Sequence, residues 1–209
     1  MRVTGGRGTV SASMLADVSE TMVNRSGTME DGRDARLTRA LRAVVWGGAA
    51  VAWLAPLAAW RWADLPWTAF DFMVWGAMLL AAAGVCEIGL RLSGALAYRA
   101  GVVVAAGTAF LITWSNLAVG IIGDEGDPLN QIFFGVIAIA LIGAFLVRFR
   151  AKGMALVMAA TAAAQFGTAF VALAYEHIVF AIVGVFAMGW LLAAWLFREA
   201  ARGEASRPR

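Results

Sequence analysis

The chain has 209 residues, 61% of them hydrophobic and only 15% charged, and its mean hydropathy is +0.75. Soluble domains are about 45–50% apolar and about 25% charged, so this composition excludes a soluble globular protein and indicates one that lies in lipid. The single cysteine excludes a disulfide within the chain, and the single histidine excludes a metal site built from several histidines of one chain. The net charge of +3 comes from arginines that flank apolar runs rather than from a nucleic-acid-binding surface.

The first 40 residues are polar, rich in Gly, Ser, Thr and Arg, and contain no continuous apolar run. Because no apolar segment follows the early arginines, the pattern is not that of a signal peptide. We expect residues 1–40 to form a disordered cytoplasmic tail, since so little apolar surface cannot offset the entropy lost on ordering. Met1, Met22 and Met29 are all candidate start sites.

Six apolar segments follow, each long enough to cross roughly 30 Å of hydrocarbon at about 1.5 Å per residue, some with tilt. They are Leu41–Trp60, Trp67–Leu90, Ala100–Ile122, Gln131–Val147, Met154–Tyr175 and Ile178–Phe197. Only Glu176 and His177 separate the last two, so these need a tight hairpin; without it they would form one helix and the count would be five. We predict an all-α integral membrane bundle of six helices in residues 41–198, with a cytoplasmic tail in residues 199–209. The frequent Gly and Ala favour close helix packing.

The basic residues predict the orientation of the bundle. Of the 17 lysines and arginines, all but Arg61 lie before or at the start of the first segment, between the second and third, between the fourth and fifth, or after the sixth. This positive-inside pattern predicts that both termini are cytoplasmic. Trp67 and Trp114 then lie at the outer membrane interface and Trp190 lies toward the inner one, where amphipathic indoles are favoured.

Polar side chains within and beside the apolar segments form a candidate pathway, because ionisable groups in a membrane are costly and often functional. Its members are Asp71, Asn116, Gln165, Asp124, Glu125 and Asp127. Asp71 either lines an entrance or stays at headgroup depth, at a helix N-terminus and paired with Arg61. Gln165, near the middle of the fifth segment, either hydrogen-bonds another helix or lines a narrow path with nearby threonines. Asp127 and Pro128 also fit a helix N-cap followed by its first residue.

The remaining polar groups have structural interpretations. Glu87 and Arg91 are four residues apart in the favourable order for an ion pair on one helix, which we predict. The other polar residues predicted on the outer face are Asp124, Glu125, Asn130, Glu176 and His177. Their spacing matches no calcium loop, so a solvated acidic loop is favoured over a metal site. No catalytic, cofactor-binding or metal-binding residue is predicted, because no nucleotide-binding, hydrolase or zinc-protease motif occurs.

Several blocks in the second to fifth segments resemble parts of known sequences. The blocks are Phe70–Phe72, Tyr98–Ala100, Trp114–Gly123, Asp127–Asn130, Gly143–Arg150 and Gly153–Met154. Together they resemble an uncharacterised group of small bacterial multi-pass inner-membrane proteins with no known activity. The resemblance leaves out the N-terminal tail. It implies a bacterial inner-membrane protein and no mechanism.

Two functions are expected from these features. The first is a small transporter or channel-like protein for a proton, cation or small solute, in which Asp71, Asn116 and the outer acidic loop form an entrance and Gln165 lies midway. The second is a non-transporting membrane module, such as a partner subunit, assembly factor or sensor, that acts by helix packing. An enzyme is disfavoured, because groups for metal or nucleophile chemistry are scarce. Expected partners are the lipid bilayer and either further copies of the chain or other membrane proteins, with no nucleic acid and no cofactor.

Overall fold

Six α-helices make up the part of the chain that the structure describes. The computed structural model describes residues 12–62, 67–123, 126–172 and 177–206. The helices are α1 (Ala12–Trp62), α2 (Ala69–Leu92), α3 (Leu96–Ala118), α4 (Gln131–Leu146), α5 (Ala151–Ala172) and α6 (His177–Ala205), with a short 3-10 turn at Pro128–Asn130. No strand occurs among these described residues. Each helix contains a stretch long and apolar enough to cross a membrane, which confirms the predicted all-α class and the count of six.

Helix α1 begins at Ala12, within the segment for which the sequence predicted disorder. Its apolar part, Asp34–Trp62, is the candidate membrane span. The polar part contains many good helix formers and no proline, so it forms local hydrogen bonds that need no buried surface. Residues up to Arg42 and residues from Ala43 onward form two separate units.

The hydrophobic core lies among α3, α4, α5 and α6. Its largest fully buried side chains include Trp190, Phe133, Phe197 and Ile112. Helices α5 and α6 pack along each other, as the predicted hairpin requires, and α2 packs against α3. The apolar part of α1 is joined to α2 by a hydrogen bond of 3.0 Å from Trp75 Nε1 to the Ala52 carbonyl oxygen.

Some of the glycines lie where two helices of the bundle approach closely. A Cβ on Gly89 would come within 2.8 Å of Val102, and one on Gly143 would come within 2.6 Å of Val157. These positions belong to the α2–α3 and α4–α5 pairs. The glycines therefore allow the close helix packing that the sequence predicted, since any larger side chain would push the helices apart.

Tyr98, at the start of α3, brings together the chain segments at one end of the bundle. Its hydroxyl donates to the Phe149 carbonyl oxygen at 2.7 Å, and its ring lies 5.1 Å from that of Phe197. The basic residues between α2 and α3, between α4 and α5, and at the end of α6 therefore lie at the same end of the bundle. Trp190 was predicted near the same membrane interface but is only 1% exposed. Because α6 continues to Ala205, Trp190 lies in the middle of the helix and is a core residue.

Candidate functional site

Asp71 is part of a capping box at the first turn of α2. Its Oδ2 accepts hydrogen bonds from the Thr68 backbone N–H at 2.7 Å and from the Thr68 hydroxyl at 2.8 Å. The Asp71 N–H in turn donates to Thr68 Oγ1 at 3.4 Å. This reciprocal arrangement satisfies backbone groups that the helix start leaves unpaired. The carboxylate therefore has a structural role at the end of a helix, which is the simpler of its two interpretations.

Asn130 holds the end of α3 against the start of α4. Its Oδ1 accepts from the backbone N–H groups of Ile121 at 3.0 Å and Ile122 at 2.9 Å, and its Nδ2 donates to the Ile122 carbonyl at 3.1 Å. Asn116 Nδ2 donates to the Asn130 carbonyl at 2.9 Å. Both asparagines are buried. We call this four-bond arrangement the asparagine clasp. The sequence placed Asn130 on the outer face, because it could not show that the chain folds back over this side chain.

Asp127 caps the 3-10 turn that precedes α4. Its Oδ1 accepts from the Leu129 N–H at 2.8 Å, and Pro128 occupies the first position of the turn. The predicted N-cap and proline start are therefore confirmed, although the turn is a 3-10 rather than an α-helical one. This bond accounts for Asp127 without a ligand.

Gln165 is fully buried in α5, and neither of its side-chain amide atoms has a hydrogen-bond partner in the described part of the chain. Its backbone carbonyl accepts from the Thr168 hydroxyl at 2.6 Å. Thr161 and Thr108 also use their hydroxyls within their own helices, toward the carbonyls of Val157 and Val104. The hydrogen bond to another helix that we expected for Gln165 is therefore absent from the described residues. An unpaired amide in a core costs about 1–3 kcal/mol.

The structure does not gather the predicted pathway into one polar site. Asp71, Asn116 and Gln165 share no hydrogen bond, and each belongs to a different helix. Asp124 and Glu125 lie outside the described residues. Among the residues that are described, no group of three His, Cys, Asp or Glu side chains is placed to hold a metal ion.

The predicted ion pair between Glu87 and Arg91 is confirmed. Arg91 Nε donates to Glu87 Oε1 at 2.8 Å, with the carboxylate nearly buried and the guanidinium exposed. Close by, Arg99 is 8% exposed and donates to the carbonyl oxygens of Ser93 at 2.8 Å and Leu90 at 3.4 Å. It thus satisfies carbonyls that the end of α2 leaves unpaired. The sequence counted Arg99 only as a marker of orientation, since nothing in its spacing indicates burial.

Three tryptophans form an aromatic cluster at the opposite end of the bundle. The ring centroids of Trp75 and Trp114 lie 4.5 Å apart, and Trp67 lies 5.8 Å from Trp114 and 6.1 Å from Trp75. Phe72 and Phe110 extend the cluster. Separations of this size are those of rings packed in direct contact. The cluster therefore fastens α2 to α3, with no space for a ligand between the rings.

A cleft of about 340 Å³ opens between α2 and α4, with α3 as its floor. We call it the α2–α4 cleft. Its mouth is formed by exposed apolar side chains, among them Val85 and Ile88 of α2 and Leu141 and Phe145 of α4. Along α3 it runs from Tyr98 to Thr113, which is about 22 Å of helix. Its volume falls within the roughly 300–1,000 Å³ usual for ligand sites.

Few polar groups line the α2–α4 cleft, and its hydroxyls are already engaged. Tyr98 donates to Phe149, and the Thr113 hydroxyl donates to the Ala109 carbonyl at 2.8 Å. The indole N–H of Trp190 has no acceptor among the described residues, but it is fully enclosed. The cleft wall thus offers hydrocarbon contact and little else.

Basic residues stand at one end of the α2–α4 cleft, where α4 turns into α5. Arg148 and Arg150 are exposed on either side of Phe149, whose ring lines the cleft. Neither arginine makes an ion pair with any residue that the structure describes. Arg148 and Phe149 have φ values of 52° and 57°, in the left-handed region that side chains other than glycine rarely adopt. The turn therefore holds these arginines in a strained but defined place beside the cleft.

Comparison with known proteins identifies no relative. No protein family matches the chain, and neither a characterised protein nor a solved structure similar to it was found. The candidate site therefore rests on the geometry of this chain alone.

Proposed function

We propose that this multi-pass membrane protein is a non-transporting binding module whose site is the α2–α4 cleft. One observation carries the proposal: a long apolar cleft opens between helices apolar enough to span a membrane, while Asp71 and Asn116, expected to form a polar entrance, serve separate local structures. A conducting path needs polar groups in sequence along one route. An apolar cleft with a charged end instead fits a ligand or partner within the bilayer.

We further propose a bacterial inner membrane with both termini in the cytoplasm. The grouping of basic residues at the Tyr98–Phe149 end, with Arg61 at the end of α1, supports this orientation. Labelling would test it. In a Cys86→Ala background, cysteine introduced at Gly126 should react with an impermeant maleimide from the periplasmic side, and cysteine introduced at Ser206 should not. The reverse pattern would overturn the orientation.

A flux assay would test the absence of transport. Wild-type protein in proteoliposomes should carry protons, Na⁺ and K⁺ no faster than liposomes without protein, and Asp71→Asn should change nothing. The proposal would be overturned in favour of transport if the wild-type protein showed a flux that Gln165→Ala abolished. The exposed control Ala160→Ser should leave such a flux intact.

Transport stays the second candidate because of the unpaired groups in the core. The side-chain amide of Gln165, Asn116 Oδ1 and Trp190 Nε1 are buried without partners among the described residues. Internal water commonly satisfies such groups. Water in a chain across the bundle could relay protons. Hydrogen-exchange mass spectrometry on reconstituted protein would distinguish the two: rapid exchange of the mid-helix amides of α5 favours a wet path, and strong protection favours the binding module.

A further inference from the structure

We infer that the α2–α4 cleft holds one acyl chain of an anionic phospholipid, whose phosphate lies against Arg148 and Arg150. This deepens the proposed function and rests on it, since it names the occupant of the same cleft. The argument comes from the volume of the cleft, the chemistry of its wall and the charge at its end.

The volume of the cleft fits a chain rather than a helix. The cleft spreads about 340 Å³ along about 22 Å of α3, so it is long and narrow, whereas an α-helix with its side chains is about 10–12 Å across. A second copy of this protein or a single-span partner would therefore rest on the rim and leave the floor unfilled. A flexible hydrocarbon chain can reach the alanines on that floor, Ala105 and Ala109.

The chemistry of the wall excludes a polar solute. Tyr98 and Thr113 already donate their hydroxyl protons within the chain, so a polar ligand would lose its bonds to water and gain few in return. An acyl chain loses nothing on entry, because its alternative surroundings are equally apolar. Filling the cleft also supplies the dispersion contacts that a void forfeits.

The charge at the end of the cleft selects the headgroup. Arg148 and Arg150 are exposed and lie in the short turn between two candidate membrane spans, Pro128–Leu146 and Ala151–Val171, where lipid phosphates would be within reach. Lys152, the second residue of α5, adds a third exposed cation. Arg91, by contrast, is already paired with Glu87. The unpaired cations thus favour a lipid with net negative charge over a zwitterionic one.

Native mass spectrometry would test this inference. The full chain would be reconstituted in vesicles of phosphatidylcholine with 20 mol% phosphatidylglycerol, transferred to detergent, and measured for retained lipid. Wild-type protein should retain one phosphatidylglycerol in preference to phosphatidylcholine. Arg148→Gln and Arg150→Gln should each reduce that preference roughly fivefold. Arg61→Gln, at the end of α1, is the matched control and should leave it unchanged.

Filling the cleft would test the site itself. Ala105→Leu and Ala109→Leu should abolish retention of either lipid, and Ala81→Leu provides the same test from α2 in case a change on α3 impairs folding. Ala160→Leu, on an exposed part of α5, is the control and should retain lipid. Retention in proportion to the vesicle composition, or retention unaffected by the cleft variants, would overturn the inference. The inference would also be overturned if the protein formed a dimer that Ala105→Leu dissociated, because a second copy would then occupy the cleft. Flux in the earlier assay would instead overturn the proposed function.

Discussion

The side-chain amide of Asn116 donates to the backbone carbonyl oxygen of Asn130 at 2.9 Å, and so joins the end of α3 to the start of α4. Asn130 uses its own side chain for three further bonds to the backbone of Ile121 and Ile122. Four hydrogen bonds thus close a loop whose described residues include Gly120 and Gly123, both at positive φ. Glycine permits this sharp reversal, and the asparagine clasp fixes it.

The asparagine clasp predicts a strong dependence of stability on Asn130. Asn130→Ala should lower the free energy of unfolding by about 2–4 kcal/mol, because two buried N–H groups would lose their acceptor. Asn116→Ala removes one bond and should cost about 1 kcal/mol. Equilibrium unfolding in mixed micelles, followed by tryptophan fluorescence, would measure both. Equal effects of the two variants would contradict this account of the loop.

Gly189 on α6 faces Thr108 on α3, and a Cβ there would collide with the threonine hydroxyl. Gly189→Ala should therefore destabilise the protein by about 1–3 kcal/mol. Thr108→Ala should restore most of that loss in the double variant, since it removes the colliding atoms. Gly184→Ala on the same helix meets no atom within 4 Å and is the matched control. It should be neutral or gain up to about 1 kcal/mol. Additive effects at positions 108 and 189 would refute direct contact.

Gln165 offers a test in the opposite direction. Gln165→Met keeps the shape of the side chain and removes an amide that lacks partners, so it should stabilise the protein by about 1–2 kcal/mol. Thr161→Val is the control, because Thr161 is equally buried but its hydroxyl is bonded. It should change stability by less than about 1 kcal/mol. Clear destabilisation by Gln165→Met in the same unfolding assay would mean that the amide is satisfied by internal water.

Arg148 carries a backbone conformation suited to glycine. Arg148→Gly should stabilise the protein in detergent by about 1 kcal/mol, because φ of 52° places the Cβ close to a carbonyl oxygen. Arg150→Gly is the control, since its φ is not positive and no strain is relieved. Comparison of the two melting temperatures would measure the difference. A loss of stability in Arg148→Gly as large as that in Arg150→Gly would show that the turn is unstrained.

The features that the sequence predicted well depend on properties of single helices. Apolar length identified six membrane helices, and the spacing of Glu87 and Arg91 identified an ion pair, because both depend on one helix alone. The roles of Asn130 and Arg99 depend on chain segments that meet only after folding. The α2–α4 cleft combines residues from five segments of the chain and has no local pattern. The burial of Trp190 was not foreseen for the same reason, since it depends on the helices that pack against α6.

The turn between α4 and α5 has a mechanical consequence. Arg148 and Phe149 occupy left-handed positions without glycine, and the Phe149 carbonyl is held by Tyr98. Side chains other than glycine rarely adopt these angles, so few residue types suit the turn. The turn and the Tyr98 hydrogen bond together join the end of α4 and the start of α5 to the start of α3. The α3 and α4 walls of the cleft are thereby held together at its charged end.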